Sequence, residues 1–382
     1  MTIKDTDAIE TLCVHAGVEP DAETGAIMTP IYQTSTYVQQ GPGDHKGYDY
    51  SRGGNPTRTV LENALAALEG ARHAISFSSG LAAEQAIIQT LDPGDHVLVS
   101  QDVYGGTGRL FRKLFAKYGI EFEFIDLREP SSVEQKVRPN TRMIWAETPT
   151  NPLMQIVDIA ALGQVAKRAG ARLVVDNTFC SPVLQRPLDL GADIVVHSTT
   201  KYIGGHSDLI GGAVMLDDDA VAEQIRFVQF AGGAVNSPFE SFLLLRSIKT
   251  LALRMRQHSE NALAFATALE ADGSFEDVLY PGLESHPQHE LARRQMSGFS
   301  GMVSVYLDGG MERVTRFLQA LKIFSLAESL GGVESLVNHP ETMTHASVPP
   351  ELRAELGIHS GLVRFSVGIE NVNDLIEDVR QA

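Results

Sequence analysis

Apolar residues in this chain recur at two different spacings, and the alternation between them predicts the fold before any chemistry is considered. Short apolar and β-branched runs, as expected of strands buried on both faces, occur at Ala74-Ile75-Ser76-Phe77, His96-Val97-Leu98-Val99, Phe122-Glu123-Phe124-Ile125, Met143-Ile144-Trp145, Leu173-Val174-Val175, Ile194-Val195-Val196 and Ala213-Val214-Met215. Between most of them the spacing lengthens to that of a helix. The clearest case begins at Asn55, a capping residue followed by Pro56, and carries Val60, Leu61, Ala64, Leu65 and Leu68 at helical spacing until Gly70. A second helical pattern covers 82–90. Strands interleaved with helices predict a mainly parallel sheet covered on both faces, and such sheets bind ligands beyond the carboxyl ends of their strands.

Residues 1–47 show little periodicity and end in the turn-rich Gly41-Pro42-Gly43-Asp44-His45-Lys46-Gly47, so they read as an arm of the kind that packs on a partner subunit. A sheet domain over 48–245 and a C-terminal domain over 246–382 follow. A long helical stretch, 239–271, links the two, and the C-terminal part holds strand candidates at 302–307 and 362–367.

The length of 382 residues supports this division, because single cores stop growing at about 250–300 residues. With 43% hydrophobic and 21% charged residues the composition is that of a compact enzyme. A net charge of −17 argues against a nucleic acid or an anionic membrane as partner, and favours a small diffusible substrate. No run of about 18 apolar residues occurs and the first residues carry no leader pattern, so the expected location is cytoplasmic. Two cysteines, Cys13 and Cys180, make no disulfide framework and suit a reducing compartment.

The segments just after the strands are the ones in which a ligand is expected. They read Ser78-Ser79-Gly80-Leu81, Asp102-Val103-Tyr104-Gly105-Gly106, Glu147-Thr148-Pro149-Thr150-Asn151-Pro152, Asp176-Asn177-Thr178 and Ser198-Thr199-Thr200-Lys201. One polar turn is ordinary loop composition. Five together, with a lysine and an aspartate at the ends of two strands, supply what a pyridoxal phosphate enzyme needs: an amine for a Schiff base, and a carboxylate that keeps the pyridine nitrogen protonated.

Each residue has chemistry suited to part of that task. Backbone amides near Gly80 and Leu81 open a helix and can face a phosphate, with the hydroxyls of Ser198 and Thr200 beside them. Tyr104 can stack on a flat ring, and Asn151 can bond a ring hydroxyl or a substrate carboxylate. Arg364, set among apolar neighbours in a short strand, is either half of a structural ion pair or a fork for a carboxylate. Other classes lack their motifs. No Gly-x-Gly-x-x-Gly follows a strand, no Gly-x-x-x-x-Gly-Lys loop exists, and no His-Glu-x-x-His occurs; His286 and His289 read as surface-loop residues rather than metal ligands. A non-catalytic binding protein on this fold would be expected to have lost Lys201 or Asp176.

The segments Tyr50-Ser51-Arg52-Gly53-Gly54-Asn55-Pro56-Thr57, Ser78-Ser79-Gly80-Leu81-Ala82-Ala83, Tyr104-Gly105-Gly106-Thr107, Glu147-Thr148-Pro149-Thr150-Asn151-Pro152, Asp176-Asn177-Thr178 and Ser198-Thr199-Thr200-Lys201-Tyr202 resemble the Cys/Met-metabolism pyridoxal phosphate enzymes, from about Leu12 to the C-terminus. The resemblance implies an α/β architecture of pyridoxal phosphate fold type I, aspartate aminotransferase-like, with a large mainly parallel sheet domain and a smaller C-terminal α/β domain. It implies Lys201 as the Schiff-base lysine and proton carrier, Asp176 as the pyridinium partner, and Tyr104 as the stacking residue. It also implies a phosphate site of Gly80, Leu81, Ser198 and Thr200, joined by Tyr50 and Arg52 from a neighbouring subunit, and an α-carboxylate site of Asn151, Ser329 and Arg364.

A homotetramer, a dimer of dimers with active sites shared across each dimer, follows from the same likeness. Within the family the best fit is to the members that cleave cystathionine at its γ-carbon, giving cysteine, 2-oxobutyrate and ammonia. Glu328 would attract the distal ammonium of that substrate and Arg109 its distal carboxylate. The alternative reactions are γ-replacement on an O-acylhomoserine with cysteine, and then γ-cleavage of methionine. Gly106 stands where the methionine-cleaving members usually carry cysteine, and Gly204 where many relatives have asparagine.

Overall fold

The computed structural model describes residues 7–382. Its strands are β1 (His73–Phe77), β2 (His96–Ser100), β3 (Glu121–Ile125), β4 (Thr141–Glu147), β5 (Arg172–Asp176), β6 (Ile194–His197), β7 (Gly212–Leu216), β8 (Asp277–Leu279), β9 (Met302–Tyr306), β10 (Ser325–Leu326), β11 (Leu336–Asn338) and β12 (Leu362–Ser366). The first seven form one sheet in the order β1-β7-β6-β5-β4-β2-β3. Pairing is parallel from β6 across to β3, and β7 runs antiparallel to both β6 and β1. The seven apolar runs read from the sequence are these seven strands.

Both faces of this sheet are covered. Because neighbouring residues of a strand point to opposite faces, Val97, Val99, Met143, Trp145, Val174 and Val196 enter one apolar cluster, while Leu98, Ile144, Ala146, Leu173 and Val175 enter another. Helices of the crossovers, such as Gly80–Ile88 and Ile159–Ala169, close over these faces.

Helix Pro56–Glu69 forms as its sequence predicts. Asn55 stands in extended conformation and its side chain accepts the amides of Thr57 at 3.0 Å and Arg58 at 3.4 Å; Gly70 closes the helix at a φ of 71°. Leu61, Ala64, Leu65 and Leu68 share a core with Leu12 and Cys13. Those last two belong to helix Ile9–His15, an element for which the sequence shows too short a pattern. The beginning of the arm is therefore fastened to its own chain, where Lys249 Nζ also donates to the Val14 carbonyl at 2.7 Å. Further along the arm Ile27 and Val38 are 80% and 95% exposed.

The long helical stretch is two helices, Pro238–Ile248 and Leu251–Asp272. Ser237 and Glu240 form a reciprocal capping box at the start of the first. At the break, Thr250 is non-helical and its hydroxyl bonds the Ser247 carbonyl at 3.2 Å, the local competition with helical bonding that threonine offers. Arg254 completes the joint, donating to the carbonyls of Ser247 at 3.0 Å and Tyr202 at 2.6 Å.

The second sheet has the order β10-β11-β12-β9-β8. Its three short strands, β8, β10 and β11, span too few residues to display a period, whereas β9 and β12 do. His286 is not a surface-loop residue. It is 7% exposed, and burial lowers its imidazole pKa to about 4, while His289 opens helix His289–Gln295. No helix of the described residues is long and apolar enough to cross a membrane.

Replacing Asn55 by alanine should remove the cap and strand the carbonyl of Tyr32, to which Asn55 Nδ2 donates at 2.9 Å. We expect a loss of about 1–3 kcal/mol, read as a lower urea midpoint with an unchanged slope.

Candidate active site

The carboxyl ends of β4, β5 and β6 open into a cavity of about 650 Å³ that the β10 to β12 region closes from the other side. Gly80, Leu81, Tyr104, Asn151, Asp176, Ser198, Thr200, Lys201, Glu328, Ser329 and Arg364 all line it. Three of the residues singled out in the sequence do not. Tyr50 and Arg52 lie away from it in their own chain, where the Arg52 guanidinium sits 4.6 Å from the Phe230 ring centroid and donates to the Phe230 carbonyl at 3.0 Å. Arg109 is exposed outside the lining; burial raises the pKa of the Tyr104 phenol, and the Arg109 charge offsets part of that rise.

One wall is built for close approach. Helix Gly80–Ile88 starts at the cavity, with Ser79 Oγ accepting the Ala82 amide at 3.1 Å. The amides of Gly80 and Leu81 have no partner within a helix. A Cβ on Gly80 would stand 2.9 Å from Ser198 Cβ, and one on Gly212 would stand 2.2 Å from the Ser79 carbonyl oxygen. Glycine at both positions lets the helix end meet the loop after β6 and the start of β7, concentrating amides and hydroxyls where an anion fits. The Thr200 hydroxyl on this wall also bridges to Gly211, accepting its amide at 3.0 Å.

Carboxyls form the floor. Asp176, the last residue of β5, accepts the Thr178 amide at 2.9 Å, and burial raises its pKa. Glu147 lies directly across from it at the end of β4. It accepts the Tyr104 amide at 2.8 Å on one oxygen and the Asn151 amide at 2.9 Å on the other. Glu84, one turn into helix Gly80–Ile88, accepts the Thr107 hydroxyl at 3.0 Å. Burial, reinforced by the charge of Asp176, raises both glutamates well above the ordinary carboxylate range. Neither has a role that local sequence pattern alone reveals. Glu147 stood in view within a post-strand segment, but nothing in the helical pattern around Glu84 distinguishes it.

Lys201 faces this floor. Its Nζ donates to Ser329 Oγ at 2.8 Å, and burial, with the Arg364 charge adding to it, lowers the ammonium pKa to about 8. Ser329 adopts a φ of 88°, a conformation unfavourable for a residue with a side chain. Its carbonyl takes Arg364 Nη2 at 3.1 Å while Arg364 Nη1 donates to Asn151 Oδ1 at 2.6 Å. Arg364 is 2% exposed and its Nε has no partner. Among the described residues no carboxylate lies within ion-pair distance of it. The structural ion pair considered from the sequence is therefore not made.

An amine of depressed pKa, a buried carboxylate at the end of the neighbouring strand, a helix end with free amides and an aromatic residue on one cavity fit pyridoxal phosphate. Fold and site together define a pyridoxal phosphate-dependent enzyme. The model of the family described as Cys/Met metabolism PLP-dependent enzyme matches residues 10–382, and the chain belongs to that family. It is 50% identical to a cystathionine β-lyase of Coxiella burnetii, covering 98% of this chain and 97% of that one. It is equally 50% identical to a cystathionine γ-lyase of Bacillus subtilis, with 98% of both chains covered. Among solved structures, the cystathionine γ-synthase of Xanthomonas oryzae pv. oryzae in complex with aminoacrylate and cysteine superposes with a TM-score of 0.95 at 45% identity, over 98% of this chain and 97% of that one.

Two outcomes test the site. Capture of pyridoxal phosphate by the apoenzyme needs the neutral amine, so its rate should rise with pH to a midpoint near the lowered lysine value of about 8; stopped-flow absorbance would read it. A midpoint at the ordinary lysine value of 10.5 would contradict the burial of Lys201. Since the unfolded chain holds that proton up to the higher value, this group makes folding more favourable as pH climbs between the two. Gly80→Val should weaken cofactor affinity at least about tenfold, measured by fluorescence titration of apoenzyme.

Proposed function

We propose that the protein cleaves L-cystathionine at its γ-carbon, with water, to cysteine, 2-oxobutyrate and ammonia. The observation that carries this reading is Arg364, a buried guanidinium without a counter-ion, held by Asn151 and Ser329 on the same cavity as Lys201 and Asp176. A desolvated cation of this kind calls for an anionic ligand, and the α-carboxylate of an amino acid supplies one.

Pyridoxal phosphate, when bound, supplies the electron sink for carbanion chemistry at an amino acid. Gly80, Leu81, Ser198 and Thr200 would hold its phosphate, Tyr104 its ring face, Asp176 its ring nitrogen and Lys201 its carbonyl carbon. Lys201 Nζ, with a pKa of about 8, is suited to take a proton from the substrate Cα and to return protons later. The Ser329 hydroxyl keeps that amine directed into the cavity. Tyr104, whose phenol burial holds protonated, would pass a proton to the departing sulfur. Arg364 and Asn151 grip the α-carboxylate.

The residues near the mouth of the cavity favour cystathionine, which carries an ammonium and a carboxylate at its distal end, over a substrate without them. Glu328 is an exposed carboxylate on the cavity lining, suited to an ammonium group, and Arg109 beyond the lining is left for the distal carboxylate. γ-Replacement on an O-acylhomoserine is the second reading, favoured by the likeness to the Xanthomonas synthase.

A homotetramer of two dimers accounts for the residues that do not reach their own cavity. Arg52 lies against the rings of Tyr50 and Phe230, and the exposed apolar side chains of Ile27, Val38, Phe227 and Phe230 are suited to burial against a second copy. Tyr50 and Arg52 would then complete the neighbour's phosphate site. A reducing, cytoplasmic setting agrees with the free and buried thiols of Cys13 and Cys180.

Holoenzyme incubated with L-cystathionine should release 2-oxobutyrate and cysteine, identified by mass spectrometry. Pyruvate with homocysteine would move the reading to β-cleavage. No product, with the cofactor bound and activity on an O-acylhomoserine plus cysteine, would move it to γ-replacement.

A further inference from the structure

Glu147 occupies an unusual position for a buried carboxyl. It belongs to a strand end in direct register with Asp176, yet neither of its oxygens meets a cation. Each is taken by a backbone amide, and the two amides come from different loops: Tyr104, at the start of helix Gly105–Arg109, and Asn151, in the turn after β4. The first loop carries the aromatic ring over the cavity, and the second carries the amide side chain that bonds Arg364. The side chain is 5% exposed and flanked by Asp176 and Glu84, so its retention there needs a structural return that an apolar residue would not give.

We propose that Glu147 is a positioning residue that joins the ring-stacking Tyr104 to the carboxylate clamp of Asn151 and Arg364, so that cofactor face and substrate clamp are set by one side chain. This rests on the roles given above to Tyr104, Asn151 and Arg364. The geometry needs two acceptors 43 and 4 residues away in sequence from their donors, and a carboxyl provides them whether or not it is protonated, since both oxygens keep a lone pair. Glutamine has the same shape but one acceptor, because its amide nitrogen has no lone pair to offer an N–H group. Glu147→Gln therefore sets donor against donor at one end of the side chain, which turns the whole group and so disturbs both arms, without emptying the site.

The test uses holoenzyme and glycine, an α-amino acid without a side chain, as the probe of the clamp. In Glu147→Gln the visible circular dichroism of the bound cofactor should change, reporting the Tyr104 arm. The Kd for glycine, from spectral titration, should rise about tenfold, the loss of roughly one well-made hydrogen bond. A folded variant, with unchanged far-UV spectrum and oligomeric size, in which both readouts stay at the wild-type values overturns the proposal. A change confined to one readout overturns the coupling. Hydrogen exchange in the wild-type holoenzyme gives a second measurement that does not depend on a variant folding: glycine should slow exchange of the amides in 103–108 and 148–153 together, and protection gained in 148–153 alone would sink the idea. Arg364→Ala separates this proposal from its premise. Glycine affinity unaffected by that change would show that the carboxylate clamp itself is misassigned, whereas loss of glycine binding there with no effect of Glu147→Gln leaves the clamp standing and removes the coupling.

Discussion

The structure depends on keeping one guanidinium out of water without an ionic partner. Burying a charge costs several kcal/mol unless its hydrogen bonds are replaced, and Arg364 receives oxygens from both sides of the cavity: Asn151 after β4 of the large sheet, and Ser329 in the turn after β10 of the small one. Burial lowers its pKa to about 10, which still leaves it a cation at neutral pH. Ser329 is the hinge of this arrangement. Its hydroxyl holds Lys201 and its carbonyl holds Arg364, and it makes both bonds from an unfavourable φ of 88°.

The same economy governs the opposite wall. Helix Gly80–Ile88 can point its free amides at a phosphate only if the loop after β6 comes within contact distance, and side chains at Gly80 or Gly212 would prevent it. The antiparallel placement of β7 between β1 and β6 brings Gly212 to that point. Fixed amides on one side, a fixed cation on the other and buried carboxyls beneath make a cavity in which opposite ends favour opposite charges. That is suited to a zwitterionic amino acid beside an anionic cofactor.

Much of this was legible along the chain. The strands of the large sheet announced themselves because a strand covered on both faces is uniformly apolar, and the helix at Pro56–Glu69 because Asn55, Pro56 and Gly70 mark its ends by local chemistry. Lys201, Asp176 and Gly80 were found because they stand immediately after such strands. Less was legible where structure comes from long-range bonding. The break between Ile248 and Leu251 rests partly on Arg254 reaching the carbonyl of Tyr202, 52 residues earlier. Strands β8, β10 and β11 are too short to carry a period, and His286 is buried by neighbours that its own turn does not specify.

By itself, then, the sequence determined the strand order along the large-sheet region, the parallel character of that sheet and the residue types at the ends of its strands, since these follow from local spacing and local capping. Tertiary structure alone decided that Arg364 has no carboxylate partner, that Glu147 and Glu84 join the floor beside Asp176, and that Tyr50, Arg52 and Arg109 stay out of the lining of their own chain's cavity. Charge pairing, burial and hydrogen-bond partners are properties of groups far apart in sequence, and no local pattern records which of them the fold will bring within reach.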